Sequence, residues 1–416
     1  FTFLPDEAIG VTSTFSNRSD EGFDVPHLTG RGGDLRFAPY EHRLECSTGR
    51  DSLTAYYDGV KFRGALTYVD SGMFATGVFN FDQARLTSDA FQLTQHHSVA
   101  DSAGFQLRGL EDRMAFRTDA VKADVNFTDR LGDFEAMTGE VKVELPLNQY
   151  EVDLARFRWF MDLDQIALES DRAFPKEELA NTTAVELPCN FLSLHPGQDS
   201  LRFLSPQSRL DVQTADLACE GVQYLEVADA QIWPDSGKLM VRRLAAMDPL
   251  ERASVVANRT SRHHRITDAR LEIGGRLDYK GAGSYIYKDL NGTPFELTFD
   301  QIFVDRTDHE THAEGQIVVT EDFALSPAFA YAGTVHLDAS EQLLRFEGGA
   351  KMRHPCAAYV PEWVAFDARI DPKAVSIPIG EEPESIDRTD LTAGVVVSGR
   401  SPYTAYPTFM TERGDR

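Results

Sequence analysis

Short runs of alternating apolar and polar residues recur along the whole chain, and almost no window repeats apolar residues with the period of a helix. The runs last about four to eight residues, as in ALTYV at 65–69 and GQIVV at 315–319. Turn signals follow them, for example Ser71-Gly72 and Asn291-Gly292. One strand and turn for every 8–12 residues or so predicts an all-β chain. The one helix candidate is the short segment PKEELA at 175–180.

A weak internal repeat relates the two halves of the sequence. Residues 62–81 carry Gly64 and Gly77 in two neighbouring runs, and residues 331–352 carry Gly333 and Gly348 in a similar arrangement. The spacing between the two glycines is 13 residues in the first segment and 15 in the second. Glycine near the head of successive strands is expected where each strand turns a tight corner. The pattern predicts a stacked β-solenoid or a folded-over twisted sheet of the β-taco or β-helix kind, with β-sandwich domains as the alternative.

Composition shifts along the chain predict five segments. We expect an irregular N-terminal segment at 1–44, a β-repeat domain at 45–172, a connector with the short helix at 173–200, a second β-repeat domain at 201–379, and a tail or the start of a further β unit at 380–416. The sequence does not begin with Met, and its last residues stop inside a strand-and-turn pattern. We expect either part of a longer polypeptide or a simple flexible tail, as equal alternatives.

The charge of the chain narrows the class of partner. It has 41 basic and 66 acidic residues, a formal net charge of −25, which argues against nucleic acid and against an anionic membrane surface. Hydrophobic residues make up 42% of the sequence, enough for a sizeable core. No run approaches the 18–20 or so apolar residues of a membrane helix, so we expect no transmembrane segment in this chain. The four cysteines form no CxxC motif; a Cys189–Cys219 disulfide and buried free thiols remain open.

Several motifs resemble a family of large, uncharacterised, β-rich repeat proteins of the Bacteroidota cell envelope. The resemblance rests on FRTDAVKADVNF at 116–127, FRWFMDLD at 157–164, VADAQIWP at 227–234, GAGSYIY at 281–287 and LSPAFAY at 325–331. It implies an exported, extracytoplasmic protein of the periplasm, outer membrane or cell surface, with a protein or glycan partner and no assigned catalytic residue. The repeat rhythm is also similar to the β-taco modules of lipopolysaccharide-transport proteins, a likeness of architecture alone.

Two carboxylates beside an aromatic residue form the first candidate site. If residues 159–165 are one strand, Asp162 and Asp164 lie on one face, about 6.5–7 Å apart. Such a pair can bind Ca²⁺ or act as an acid and base on a glycan, and Trp159 is a candidate stacking surface for a sugar. A solvated polar strand face is the alternative interpretation.

The second candidate is a polar loop with metal-ligating side chains. Residues 305–312 read DRTDHETH, in which Asp305, Asp308, His309 and His312 are candidate ligands for Zn, Ni or Mn. The segment lacks the helical HExxH spacing and is expected in a turn between strands. A polar surface loop without metal is the alternative. The adjacent pairs 96–97 and 263–264 are expected to be surface histidines at strand ends.

The sequence contains no nucleophile elbow, phosphate-binding loop or dinucleotide motif. We therefore expect a non-catalytic structural or binding module of the bacterial envelope. One alternative is a polysaccharide lyase or hydrolase on a β-solenoid, and another is a lipid conduit of the β-taco type. No cofactor is expected, with Ca²⁺ as the one candidate.

Overall fold

A computed structural model describes residues 1–11, 14–17, 24–31, 33–174, 188–319, 323–353, 361–398 and 404–411. The chain forms two compact units. Unit 1 comprises Phe1–Gln223 and Ser236–Asp248, and unit 2 comprises Tyr224–Asp235 and Pro249–Arg416. About 60% of the chain is strand and no helix reaches seven residues in the described part, which confirms the all-β prediction. None of the described helices is long and apolar enough to span a bilayer.

The strands are numbered in chain order. They are β1 (Thr2–Phe3), β2 (Ala8–Val11), β3 (Phe15–Asn17), β4 (Leu28–Gly30), β5 (Asp34–Ala38), β6 (Arg43–Ser47), β7 (Leu53–Ala55), β8 (Lys61–Val69), β9 (Gly72–Asn80), β10 (Ala84–Leu93), β11 (His97–Arg108), β12 (Met114–Asn126), β13 (Leu131–Ala136), β14 (Val141–Leu145), β15 (Tyr150–Leu154), β16 (Arg156–Phe160), β17 (Gln165–Glu169), β18 (Phe191–Ser193), β19 (Arg202–Phe203), β20 (Gln207–Asp211), β21 (Asp216–Glu220), β22 (Leu225–Val227), β23 (Ala230–Trp233), β24 (Leu239–Val241), β25 (Leu250–Ala257), β26 (His264–Gly275), β27 (Asp278–Lys288), β28 (Pro294–Val304), β29 (Thr311–Ile317), β30 (Ala324–Ser326), β31 (Phe329–Asp338), β32 (Arg345–Met352), β33 (Val364–Arg369), β34 (Leu391–Ser398) and β35 (Thr404–Thr411). The 3₁₀ helices are Pro39–Glu41, Leu110–Asp112, Met161–Leu163, Pro196–Gln198, Asp235–Gly237 and Arg243–Ala245.

The sheet of unit 1 is folded over a spine of five long strands, β8 to β12. Strand β9 pairs with the whole length of β8, whereas the opposite edge of β8 forks, so that β7 pairs with its first half and β6 with its second half. Strand β12 forks in the same way between β14 and β13. The two halves of each spine strand therefore belong to two layers. Layer one includes β7 and β14, and layer two includes β6 and β13.

The fold line crosses the spine at its glycines and register shifts. Gly64 and Gly77 are cross-strand partners with φ of +156° and +150°. A Cβ on Gly64 would lie 2.1 Å from the carbonyl oxygen of Thr76, so only glycine allows this approach. The register also shifts in β10 between Ser88 and Phe91. Such irregularities bend strands.

Unit 2 repeats the glycine pair. Gly333 of β31, with φ of +146°, is the cross-strand partner of Gly348 of β32, and a Cβ on Gly333 would lie 2.5 Å from the carbonyl oxygen of Glu347. The repeat seen in the sequence therefore marks a close backbone approach of two glycines in both units.

Beyond the spine, the chain of unit 1 adds strands to the two layers in turn. Strands β14, β15, β18 and β19 extend layer one, and β13, β16, β17, β20, β21 and β24 extend layer two. All described neighbours are antiparallel, both in hairpins such as β16–β17 and between non-consecutive strands such as β13 and β16. A solenoid coil returns the chain in one direction and makes parallel neighbours, so the folded-over form is the one that matches, and no solenoid is shown.

The core of unit 1 lies between its two layers and is rich in phenylalanine. Phe105 of layer one has its ring centroid 4.6 Å from that of Phe134 and 5.9 Å from that of Phe157, both of layer two. Phe116 and Phe157 meet across the layers at 4.7 Å. These side chains are almost completely buried. Close-packed aromatic rings therefore fill the space between the layers.

Unit 2 contains an antiparallel sheet in the order β22-β23-β25-β26-β27-β28-β29-β31-β32-β33. Its core holds Tyr331 against Phe346, with ring centroids 5.0 Å apart. His264 is 1% exposed, so the expectation of a surface histidine is wrong at this position. The side chain lies on the inner face of β26, where Nε2–H donates to the carbonyl of Glu341 (2.7 Å) and Nδ1 accepts from the Tyr285 hydroxyl (3.2 Å). Burial lowers the pKa of His264.

The described cysteines are free thiols: Cys46, Cys189 and Cys219. Burial raises the pKa of Cys219 to about 12, which makes it an unreactive core residue. Cys356 and the predicted helix at 175–180 lie outside the described residues. The predicted domain limits stay predictions.

Candidate functional site

The structure separates Asp162 and Asp164 instead of placing them on one strand face. Strand β16 ends at Phe160, residues Met161–Leu163 form a 3₁₀ turn, and Asp164 takes a left-handed conformation with φ of +50°. Because Phe160 and Gln165 are hairpin partners, the four residues between them must reverse the chain. The prediction of a shared face is therefore wrong.

Both carboxylates lie where the hairpin turns of the two layers meet, at the ends of the strands far from the fold line. We call this contact the seam and define it by Tyr57, Gln83, Arg130, Asp162, Asp164 and Gln213. Asp162 forms an ion pair with Arg130, whose guanidinium carbon lies 4.8 Å from the centre of the Tyr57 ring. The Gln213 amide donates to Asp164 (3.2 Å) and to the Gln83 carbonyl oxygen (3.1 Å).

Apolar contacts lie behind the seam. Tyr56 and Phe127 stack with their ring centroids 3.5 Å apart, and Trp159 meets Phe81 edge-on at 5.2 Å. Trp159 is only 5% exposed, so the structure places it in the core and not on a surface available to a sugar. Its Nε1–H has no hydrogen-bond partner among the described residues.

A backbone contact also crosses the seam. The amide of Leu110 in layer one donates to the carbonyl of Val212 in layer two (3.2 Å). A Cβ on the neighbouring Gly109 would lie 2.0 Å from that carbonyl oxygen, so glycine is required for the approach.

The polar side chains of the seam hold the turns of the two layers together. The Asp162 carboxylate is engaged by a guanidinium, and desolvation raises the pKa of the Tyr57 hydroxyl even though Arg130 opposes the shift. A phenol held protonated and a carboxylate held by Arg130 stabilise the contact between turns.

The second candidate segment forms the hairpin between β28 and β29, as the sequence predicts. The Asp305 carboxylate accepts a hydrogen bond from the backbone N–H of Thr307 (N to Oδ1, 2.6 Å), and this hydrogen bond lowers the pKa of Asp305. His309 has φ of +58° and donates its amide to the carbonyl of Asp305 (3.0 Å). These two residues therefore build the turn.

Asp308, Glu310 and His312 come together on the hairpin. One ligand atom from each lies within 4.8 Å of the others. Glu310 was not among the predicted ligands, although it is two residues before His312 and alternation places both on one face of an extended chain.

His312 belongs to a row of ionisable side chains across β29, β31, β32 and β33. Its Nδ1 lies 3.0 Å from Asp338, which accepts from Arg369 at 3.0 Å. Farther along the same face, His336 lies between Glu314 (3.3 Å) and Glu347 (3.4 Å).

Arg345 completes this row of ionisable side chains. It makes two contacts with Asp367, at 2.6 and 2.5 Å, and this pairing lowers the pKa of Asp367.

Two open grooves in the described part of the chain are lined by other residues. One of about 740 Å³ lies in unit 1 beside Leu35, Arg36 and Glu45, and one of about 610 Å³ lies in unit 2 beside Arg270 and Phe303. None of the predicted site residues lines either groove, so neither groove brings the candidate carboxylates together.

Models of known protein families, curated proteins and solved structures contain no match to this chain.

Proposed function

We propose that this chain is a non-catalytic structural or binding module of an exported bacterial envelope protein. The observation that carries the proposal is the solid interior of unit 1. Rings from both layers interlock at centroid separations of 4.6 to 5.9 Å, and the seam joins the turns on the side away from the fold line. A folded sheet fastened in this way presents its outer faces and free edges to a partner.

The packed core supports this proposal over a lipid conduit. An acyl chain needs a continuous apolar space between the layers, and in unit 1 the Phe105, Phe134 and Phe157 rings fill that space. Opening it requires breaking both the seam and the aromatic packing.

The seam geometry supports it over a glycan-cleaving enzyme. Glycoside hydrolysis commonly uses two carboxylates facing one substrate across about 5–9.5 Å. Asp162 and Asp164 instead bind different partners on a turn, Arg130 and Gln213, and Trp159 is buried. The net charge of −25 favours a neutral glycan or a basic protein surface as partner.

Two measurements on the purified chain test the proposal. First, polysaccharides from bacterial envelopes are incubated with the protein, and reducing ends and unsaturated products are followed. We expect no turnover and, for a bound glycan, retarded migration in an affinity gel. Turnover that Asp162→Asn abolishes and Glu111→Gln, an acidic residue on another turn, leaves intact would overturn the non-catalytic assignment.

Second, lipids are extracted from the protein and quantified by mass spectrometry. We expect far less than one lipid per chain. Phe105→Ala is the matched comparison, because an apolar cavity in a core can take up small apolar molecules. Stoichiometric lipid in the wild-type protein would favour the conduit instead.

A further inference from the structure

The Asp308–Glu310–His312 cluster has the features of a metal-binding site with an ordered outer shell. Its three side chains offer one imidazole nitrogen and two carboxylate oxygens within 4.8 Å of one another. Ligand atoms around a tetrahedral Zn²⁺ are about 3.4 Å apart, from bond lengths of about 2.1 Å. Asp308 is exposed and at the hairpin tip, so rotation of its side chain can make up the difference.

The hydrogen bonding of His312 leaves one ring nitrogen available. Nδ1 lies 3.0 Å from the Asp338 carboxylate, which can only accept, so Nδ1 carries the proton. Nε2 is the ring nitrogen that faces Asp308. It is shielded from solvent, has no hydrogen-bond partner among the described residues, and lies 3.6 Å from Asp308 Oδ2.

Two further contacts hold the imidazole in this orientation. The Phe303 ring, on the neighbouring strand, stacks on His312 with centroids 5.8 Å apart and planes 23° apart. Asp338 is in turn held by Arg369. A carboxylate behind a ligating histidine, itself held by another residue, is the usual outer shell of a protein-bound transition metal.

Glu310 supplies uncompensated negative charge. Its carboxylate makes no ion pair with any cation in the described part of the chain, in contrast to Asp338. The carboxylates of Asp308 and Glu310 together carry a charge of −2, which suits a divalent ion. An imidazole ligand favours Zn²⁺ or Mn²⁺ over Ca²⁺, which takes oxygen ligands.

We propose that His312, Asp308 and Glu310 bind one divalent transition-metal ion of the Zn²⁺ or Mn²⁺ class, and that Asp338 is the positioning residue for His312. The assignment is independent of the non-catalytic module proposed above, because a bound ion can stabilise the hairpin without any reaction. Three protein ligands leave a coordination position for water or for a group from a partner.

Isothermal titration of the metal-free full chain with ZnCl₂, MnCl₂ and CaCl₂ tests the proposal. We expect one Zn²⁺ site per chain that His312→Gln weakens at least 100-fold, weaker binding of Mn²⁺, and no effect of His312→Gln on Ca²⁺ binding. Asp338→Asn should weaken Zn²⁺ binding by about 10- to 100-fold through loss of the outer shell. The matched control is His309→Asn, which removes the neighbouring imidazole, tolerates the left-handed backbone and should stay within twofold of wild type.

A second readout keeps the test independent of whether the variants fold well. Long-range ¹H–¹⁵N spectra of the wild-type imidazoles should show His312 with its proton on Nδ1, and Zn²⁺ should shift Nε2 alone. Equal Zn²⁺ affinity of wild type and His312→Gln would overturn the site. So would an Nε2 signal of His312 that Zn²⁺ leaves unchanged, since the cluster is then a simple hydrogen-bond and ion-pair network.

Discussion

Replacement of Gly64 by alanine tests the fold line of unit 1 directly. The new methyl group would lie 2.1 Å from the Thr76 carbonyl oxygen and 2.8 Å from the Gly77 Cα. Both contacts are to backbone, so β8 and β9 must separate by about 1 Å at the centre of their nine-pair ladder. We expect about 1–3 kcal/mol for overpacking, about 1–2 kcal/mol for the strain of a side chain at positive φ and about 0.5–1 kcal/mol for a weakened hydrogen bond, a total near 4 kcal/mol.

Gly72→Ala is the matched control in the same hairpin. Gly72 also has a positive φ, +133°, but nothing lies within 4 Å of its missing Cβ. Its replacement therefore costs only the backbone strain, about 1–2 kcal/mol. The difference between the two variants isolates the close approach at the fold line.

Urea unfolding followed by tryptophan fluorescence provides the assay. Trp159 is the single tryptophan of unit 1, so a background with Trp233→Phe and Trp363→Phe reports on unit 1 alone. With a slope of about 3 kcal/mol per molar urea, Gly64→Ala should lower the midpoint by about 1.3 M and Gly72→Ala by about 0.5 M. Equal midpoints for the two variants would refute the tight backbone crossing.

Three further predictions concern the core, a buried histidine and the seam. Phe105→Ala should destabilise unit 1 by about 3–5 kcal/mol in the same assay, because it leaves a cavity between the layers. Val99→Ala, at a partly exposed position of the same strand, should cost about 1 kcal/mol or less. Similar losses for the two variants would contradict a packed core between the layers. Burial lowers the pKa of His264, so the unfolded state binds a proton more readily than the folded state. Unit 2 should therefore lose stability as the pH falls below about 6.5, and His264→Gln should flatten that part of the plot of urea midpoint against pH. A plot that His264→Gln leaves unchanged would argue against a neutral buried imidazole. Asp162→Ala should lower the stability of unit 1 by less than about 1 kcal/mol, since its ion pair with Arg130 is largely exposed, and a larger loss would mean that the seam depends on this pair.

The backbone of the fold was predictable from the sequence where single residues carry the information. Gly64 and Gly77 in one run and Gly333 and Gly348 in a similar run each form a cross-strand pair, and the structure places each pair at a close backbone approach. The strands were also predictable, because the alternation of apolar and polar residues within each strand shows which of its faces is buried. The choice between a solenoid and a folded sheet depends on which strands become neighbours, which alternation does not specify.

The candidate sites were less predictable from the sequence, because they depend on turns and on contacts between distant residues. Alternation placed Asp162 and Asp164 on one face because it does not register that four residues must reverse the chain between β16 and β17. The partner of His312 is Asp338, 26 residues away on another strand, and no local spacing identifies it. Glu310 could have been predicted as a ligand, because it precedes His312 by two residues and therefore lies on the same face of an extended chain.

The forks at β8 and β12 constrain how a molecule of this kind can change in length. A hairpin added beyond β19 lengthens layer one and leaves the register of the five shared strands unaltered. Loss of a single shared strand would instead reverse the direction in which every following strand has to run to remain antiparallel to its neighbour. Insertions and deletions in related chains should therefore add or remove pairs of strands at the outer ends of layer one or layer two, while the five strands of the spine are retained.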